Sequence, residues 1–399
     1  MRIVIHGGQP KTGTTSIQET LYANAGGLLS AGYYYPIAQE RRHNQKWLLP
    51  SLVSREHWGR GVARGGDQQE TLNHEIFARM VPAMREEIAA ASPHTMILSA
   101  ENIYNFERDD HAAFRSFLTA FSPDQQIICY VRSPSSQYLS KIQQGFKSHA
   151  NMAKPGSYKT KIHGRYKTMR KAYDGRVTFC AFQPSALAGG DVVRDFLEQI
   201  GLESAIIDGM EKVRSNVSVS AEGMVLMQRY HRQFPAEDQG RFSPRGEAFL
   251  AALERAENGL PVTRPRLLPA VKRLVDHANR DDLLAIRDQI GLVFDDVDYA
   301  ALEANEAPER IVTRDAGEIV AYDAAVLGEL GLRVIKELSI AAARREGKRT
   351  SPTRDASRKG KPKKKPAPDA AGGSGDRKEK KAKKADGPAR ATKPPEAGG

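Results

Sequence analysis

Two cysteines among 399 residues leave no material for a disulfide framework or a cysteine-rich metal site. Both lie in apolar, strand-like runs, Cys129 in Ile127-Ile128-Cys129-Tyr130-Val131 and Cys180 in Val177-Thr178-Phe179-Cys180-Ala181, and both read as buried, reduced thiols. No stretch approaches the roughly 18 consecutive apolar residues of a membrane span. Met1–His6 runs straight into Gly7-Gly8 without the apolar core of a secretory signal, so the expected compartment is the reducing cytoplasm. Aromatic residues are scarce, at 7%, which points to a solvated segment somewhere in the chain.

That segment is the C-terminus. The net charge of +12 would suggest a nucleic-acid binder, but residues 344–399 hold 19 Lys+Arg against 7 Asp+Glu and carry the whole excess. Residues 1–343 hold 41 of each sign and are formally neutral. From Ser357 onward there is no Leu, Ile, Val or aromatic residue, so the tail cannot bury enough apolar surface to offset chain entropy and is expected to be disordered. Such a tail holds nucleic acid or an anionic membrane weakly and in a salt-dependent way, or serves only as a solvated appendage.

Residues 1–218 alternate strand and helix patterns. Arg2–His6, Tyr33–Pro36, Thr95–Ser99, Gln126–Val131 and Arg176–Phe182 read as strands. Helical patterns cover 14–30, 70–90, 109–121, 134–147, 158–172 and 191–200, with Pro134 at a first helical position. Residues 39–70, polar and rich in His and Arg, read as a loop or lid. Repeated strand–helix units predict a parallel sheet covered on both faces. Residues 219–343 are almost wholly helical in pattern, with proline breaks near 261–269, and are expected to pack on that α/β core as a helical portion.

The most informative segment is His6-Gly7-Gly8-Gln9-Pro10-Lys11-Thr12-Gly13-Thr14-Thr15-Ser16, a strand, a glycine turn and a hydroxyl-rich helix start. Backbone N–H groups at such a helix start bind phosphate. A nucleoside-triphosphate loop places its lysine directly after the second glycine, followed by Ser or Thr. Here Thr14 follows Gly13 and the only lysine stands two positions before it, which disfavours a nucleotide-dependent kinase. A second segment, Val131-Arg132-Ser133-Pro134, ends a strand with a guanidinium suited to phosphate, and Ser140 follows eight residues later on the next helix.

Together these segments resemble the sulfotransferases that use 3′-phosphoadenosine 5′-phosphosulfate (PAPS), in a bacterial or glycan-type branch. The resemblance spans about residues 1–220 and is specific at the two motifs. It implies a P-loop-like α/β fold and sulfuryl transfer to an acceptor hydroxyl, on a carbohydrate or glycolipid, without a metal. Lys11 would stabilise the charge on the bridging oxygen, and Thr12, Gly13, Thr14 and Thr15 would hold the 5′-phosphate. Arg132 and Ser140 would hold the 3′-phosphate. Arg214-Ser215-Asn216-Val217-Ser218 is similar to the late basic loop that closes over the nucleotide, although it lacks that loop's Arg-Lys-Gly signature. Its alternative role is the start of the next helix, capped by Ser218 or Ser220.

A base must take the acceptor proton. His43, an imidazole of the kind general bases often use, Glu40 beside it, and Glu101 just past the Thr95–Ser99 strand all remain open. The basic stretch from Lys147 to Lys171 either lines a cleft for an acidic acceptor or is a solvated helix face.

Overall fold

The computed structural model describes residues 1–39, 43–58, 66–213, 219–235 and 243–350. Residues Met1–Arg345 form one compact unit, so the strand-rich and helix-rich halves are not separate bodies. The tail read as disordered lies, from residue 351 on, outside the described residues.

Five parallel strands form the centre: β1 Arg2–Gly8, β2 Tyr33–Tyr34, β3 Thr95–Ser99, β4 Gln125–Val131 and β5 Val177–Ala181, in the order β2-β3-β1-β4-β5. The near-continuous apolar character of β1, β3 and β4 follows from burial on both faces, whereas the edge strand β5 is half-exposed. Successive residues of β1 alternate between those faces. Ile3 and Ile5 join one core with α3 (Gly66–Ala91), α4 (Arg108–Thr119) and α6 (Ile162–Ala172). Val4 faces the other, with α1 (Thr14–Ala23), α2 (Ala25–Ser30) and α7 (Val192–Gln199). The crossover after β1 thus lies on one face, whereas those that follow its two neighbours, β3 and β4, lie on the other. At the carboxyl edge of such a sheet the chain ends splay apart and open a crevice.

After a short helix α8 (Ser204–Gly209), residues 219–343 supply α9 (Ala221–Gln233), α10 (Pro244–Glu257), α11 (Pro269–Ala278), α12 (Arg280–Ile290) and α13 (Tyr299–Glu303). The last helix, α14, spans Ala324–Thr350. They do more than pack on a finished domain. Leu283, Ile286, Phe294 and Leu302 are buried in the sheet's first face, while Val225, Leu253, Val275 and Leu330 form a separate core against α5 (Pro134–Phe146).

Two local expectations are corrected. The helix expected over 14–30 breaks at Asn24, whose side-chain amide donates to the carbonyls of Thr20 and Glu211 at 2.8 and 3.0 Å. The stretch 39–70, expected to be a loop or lid, carries Trp47, Leu48 and Leu49, all fully buried in the sheet core. Its polar composition masks these apolar residues, which tie it down.

Candidate active site

The turns after β1, β3 and β4 meet at the carboxyl edge of the sheet. The first is built around Gly8, Lys11 and Gly13. A Cβ on Gly8 would come within 2.8 Å of Thr12 Oγ1, so glycine leaves room for that hydroxyl, which donates to the Gln9 carbonyl at 2.7 Å. Gly13, at φ 76°, is left-handed, and a Cβ there would lie 2.5 Å from Val192 Cγ1 on α7. Lys11 also adopts a left-handed backbone, at φ 73°. A non-glycine residue in this region costs about 1–3 kcal/mol and marks a turn held by its surroundings.

Helix α1 starts directly from this turn with Gly13 as N-cap, and no side chain caps it. Thr14 is buried and its Oγ1 has no hydrogen-bond partner among the described residues, whereas Thr15 is exposed. A buried hydroxyl without a partner beside an uncapped helix start suits an incoming phosphoryl oxygen.

Arg132 is the first residue beyond β4. Its guanidinium donates to Ser136 Oγ at 3.3 Å and stacks over the Phe182 ring at 4.5 Å, while Nε is buried without a partner among the described residues. Burial lowers its pKa to about 10, against the opposing effect of the Asp296 carboxylate. Ser136 was not singled out by sequence reading, although it sits midway between Arg132 and Ser140 at helical spacing. Ser140 is half-buried one turn further along α5. The start of α5 is braced from the helical portion. Asp276 accepts from the Ser135 backbone N–H at 3.1 Å, and Ser133 Oγ donates to Asp296 at 2.8 Å.

Cations gather around this crevice. The Lys11 pKa is lowered by burial first, then by Lys147, and also by Arg132, while Glu101 opposes them. Glu101 opens the turn Glu101–Asn105 after β3, and its carboxylate lies 3.9 Å from Lys46 Nζ. Gln45 brings Lys46 there. It donates its backbone N–H to the Ser99 carbonyl at 3.1 Å and accepts the Ser99 N–H on its side chain at 2.6 Å.

His43 is placed differently. Its ring is exposed and packs edge-on against Tyr22 at 5.4 Å, and its carbonyl accepts from Tyr35 Oη at 2.7 Å. Tyr22 follows Thr14 by eight residues, about 12 Å along α1. Glu101 thus faces Lys11 electrostatically, whereas His43 sits toward the other end of α1.

Glu40, Arg214 and Ser218 lie outside the described residues. The flanks of 214–218 are described. Val213 N–H donates to Thr20 Oγ1 at 3.5 Å on α1, and the Val219 carbonyl accepts from Gln143 at 2.7 Å on α5. Ser220 caps α9, accepting from the Gly223 N–H at 2.8 Å.

The basic stretch divides. Lys147 faces Lys11, whereas Lys159 reaches the Ala278 carbonyl and Arg165 pairs with Glu107 at 2.9 Å. Lys167 and Lys171 line an open groove of about 660 Å³ between α4 and α6 that includes neither Lys11 nor Arg132. Among the described residues no cluster of three or more His, Cys, Asp or Glu is placed to hold a metal, and no helix is long and apolar enough to cross a membrane.

Comparison of the chain with models of protein families, with curated proteins and with solved structures finds no match.

Proposed function

We propose that this chain is a PAPS-dependent sulfotransferase with a P-loop-like core, transferring a sulfuryl group to a hydroxyl of a carbohydrate or glycolipid acceptor. The observation that carries the reading is the pair of unpartnered buried donors, Thr14 Oγ1 and Arg132 Nε, on two turns that flank one cation-lined crevice. Two separated anion subsites suit a nucleotide with phosphates at both 5′ and 3′ positions better than a triphosphate chain. The acceptor class follows from the branch of the family that the loop resembles.

In this reading Thr12, Gly13, Thr14 and Thr15 hold the 5′-phosphosulfate, and Arg132, Ser136 and Ser140 hold the 3′-phosphate. The acceptor oxygen forms a bond to sulfur as the bond from sulfur to the bridging oxygen breaks. The electron pair leaves with the bisphosphate product, where Lys11 offsets the growing charge. The acceptor proton passes to a carboxylate, and the place of Glu101 on the turn directly after β3, with its charge acting on Lys11, supports Glu101 over His43. Two cysteines without a disulfide fit a reducing cytoplasmic setting.

Calorimetric titration with 3′-phosphoadenosine 5′-phosphate against ATP–Mg²⁺ tests the donor. Tight binding of the bisphosphate is expected, and binding of ATP–Mg²⁺ alone would transfer the chain to the kinases. Lys11→Ala is expected to lower turnover by about a hundredfold or more with the fold intact. The basic tail is proposed to hold nucleic acid or anionic membrane weakly and apart from catalysis. Deleting 344–399 is expected to abolish low-salt DNA retention and leave turnover unchanged, and loss of turnover would contradict this.

A further inference from the structure

Gln9 is buried, at 2% exposure, inside a turn that otherwise consists of small residues, hydroxyls and one lysine. All of its polar groups are engaged. Its N–H donates to the Tyr130 carbonyl at 3.0 Å, the last backbone rung between β1 and β4, and its carbonyl accepts from Thr12 Oγ1 at 2.7 Å. Beyond this rung the chain must leave the sheet to form the Lys11 turn, so β1 has no further carbonyl to offer β4. The Gln9 side chain supplies it. Oε1 accepts the Arg132 backbone N–H at 2.8 Å, extending the ladder by one rung with an amide in place of a peptide. Nε2 donates to Tyr104 Oη at 3.2 Å, on the turn that begins with Glu101.

We infer that Gln9 is a positioning residue that sets the spacing between the two phosphate subsites, an inference that rests on the donor reading above. One side chain joins the three turns that carry Lys11, Arg132 and Glu101. An apolar residue of the same length would fill the same space but leave the Arg132 N–H without its acceptor. Arg132 would then be free to shift relative to the Lys11 turn. The cost falls on ligands that must engage both subsites at once and spares those that engage only the first.

The test compares 3′-phosphoadenosine 5′-phosphate with AMP, which lacks the 3′-phosphate, by calorimetry on the full chain. Wild-type protein is expected to bind the bisphosphate far more tightly. Gln9→Met is expected to lower that advantage about five- to tenfold, the worth of one lost hydrogen bond, while AMP affinity stays within about twofold. Adding Gln9→Met to Arg132→Ala is expected to lower the advantage no further, because both changes act through the same group. Gln9→Glu keeps an acceptor for the Arg132 N–H and for the Tyr104 hydroxyl. Its charge beside the 3′-phosphate subsite should weaken the bisphosphate more than AMP, so the apolar Gln9→Leu is the second test and should lower the ratio as Gln9→Met does. A wild-type protein that does not distinguish the two nucleotides overturns the donor reading itself. A wild-type protein that distinguishes them, with Gln9→Met distinguishing them equally, overturns the role of Gln9 alone. An unchanged ratio in Gln9→Leu does the same, and this variant serves if Gln9→Met fails to fold.

Discussion

His6 offers a direct check on the buried side of the loop. It lies in β1 two residues before Gly8, fully buried, with Nδ1 2.7 Å from Ser99 Oγ and its ring 4.9 Å from that of Phe196. Burial lowers its pKa from 6.5 to about 3. As pH falls below 6.5 the unfolded chain takes up a proton at this position and the folded chain does not, so stability is lost between pH 6.5 and pH 3 and levels off below. Between pH 7.5 and 4.5 the linkage amounts to about 2–3 kcal/mol. His6→Phe keeps a ring against Phe196 but removes the titration. Urea unfolding at the two pH values is the assay. Carboxylates titrate in both proteins, so the informative quantity is the difference between their losses of stability on acidification. The wild type should lose about 2–3 kcal/mol more than His6→Phe. Equal losses would refute the claim that His6 is held neutral in the core.

The remaining predictions concern the crevice. Gly13→Ala must place a Cβ on a left-handed backbone and 2.5 Å from Val192 Cγ1, and is expected to destabilise the fold by about 2–4 kcal/mol in denaturant titrations. A loss below about 0.5 kcal/mol would mean that the turn is not packed as described. Glu101→Gln is expected to reduce turnover about a hundredfold and His43→Asn by less than about threefold, since the His43 ring rests on Tyr22. The reverse order, measured in a coupled sulfuryl-transfer assay, would make His43 the base.

How much was legible depended on whether a residue's role was local. β3 was readable to the residue, and β1 and β4 within two at either end, because strands buried on both faces are apolar runs closed by Gly, Pro or Asp; β5, a half-exposed edge strand, was readable within one residue from the Gly175 turn before it. Helix α5 was readable from Pro134 because proline at a first helical position acts on its own turn. The break at Asn24 was not, because the partner that helps to hold it is the main chain of Glu211, 187 residues away. Trp47 was hidden by the polar residues around it. Ser136 could have been found from helical spacing between Arg132 and Ser140, whereas nothing in the order of residues marks Gln9.

The sequence by itself determined the parallel α/β class, the glycine-and-hydroxyl turn at the end of β1 and the guanidinium at the end of β4. Each depends on periodicity, on backbone freedom at glycine or on the chemistry of single side chains. Only the tertiary structure decided how these parts meet. It placed β1 between β3 and β4, so that three turns distant in the chain share one crevice. It set Glu101 where its charge acts on Lys11 and the His43 ring against Tyr22, and brought Asp276 and Asp296 from the helical portion to brace the start of α5. The physical reason is range. Local patterns fix dihedral angles and apolar faces within a few residues, but charge and hydrogen-bond partnerships between loops are set by the order in which the strands assemble.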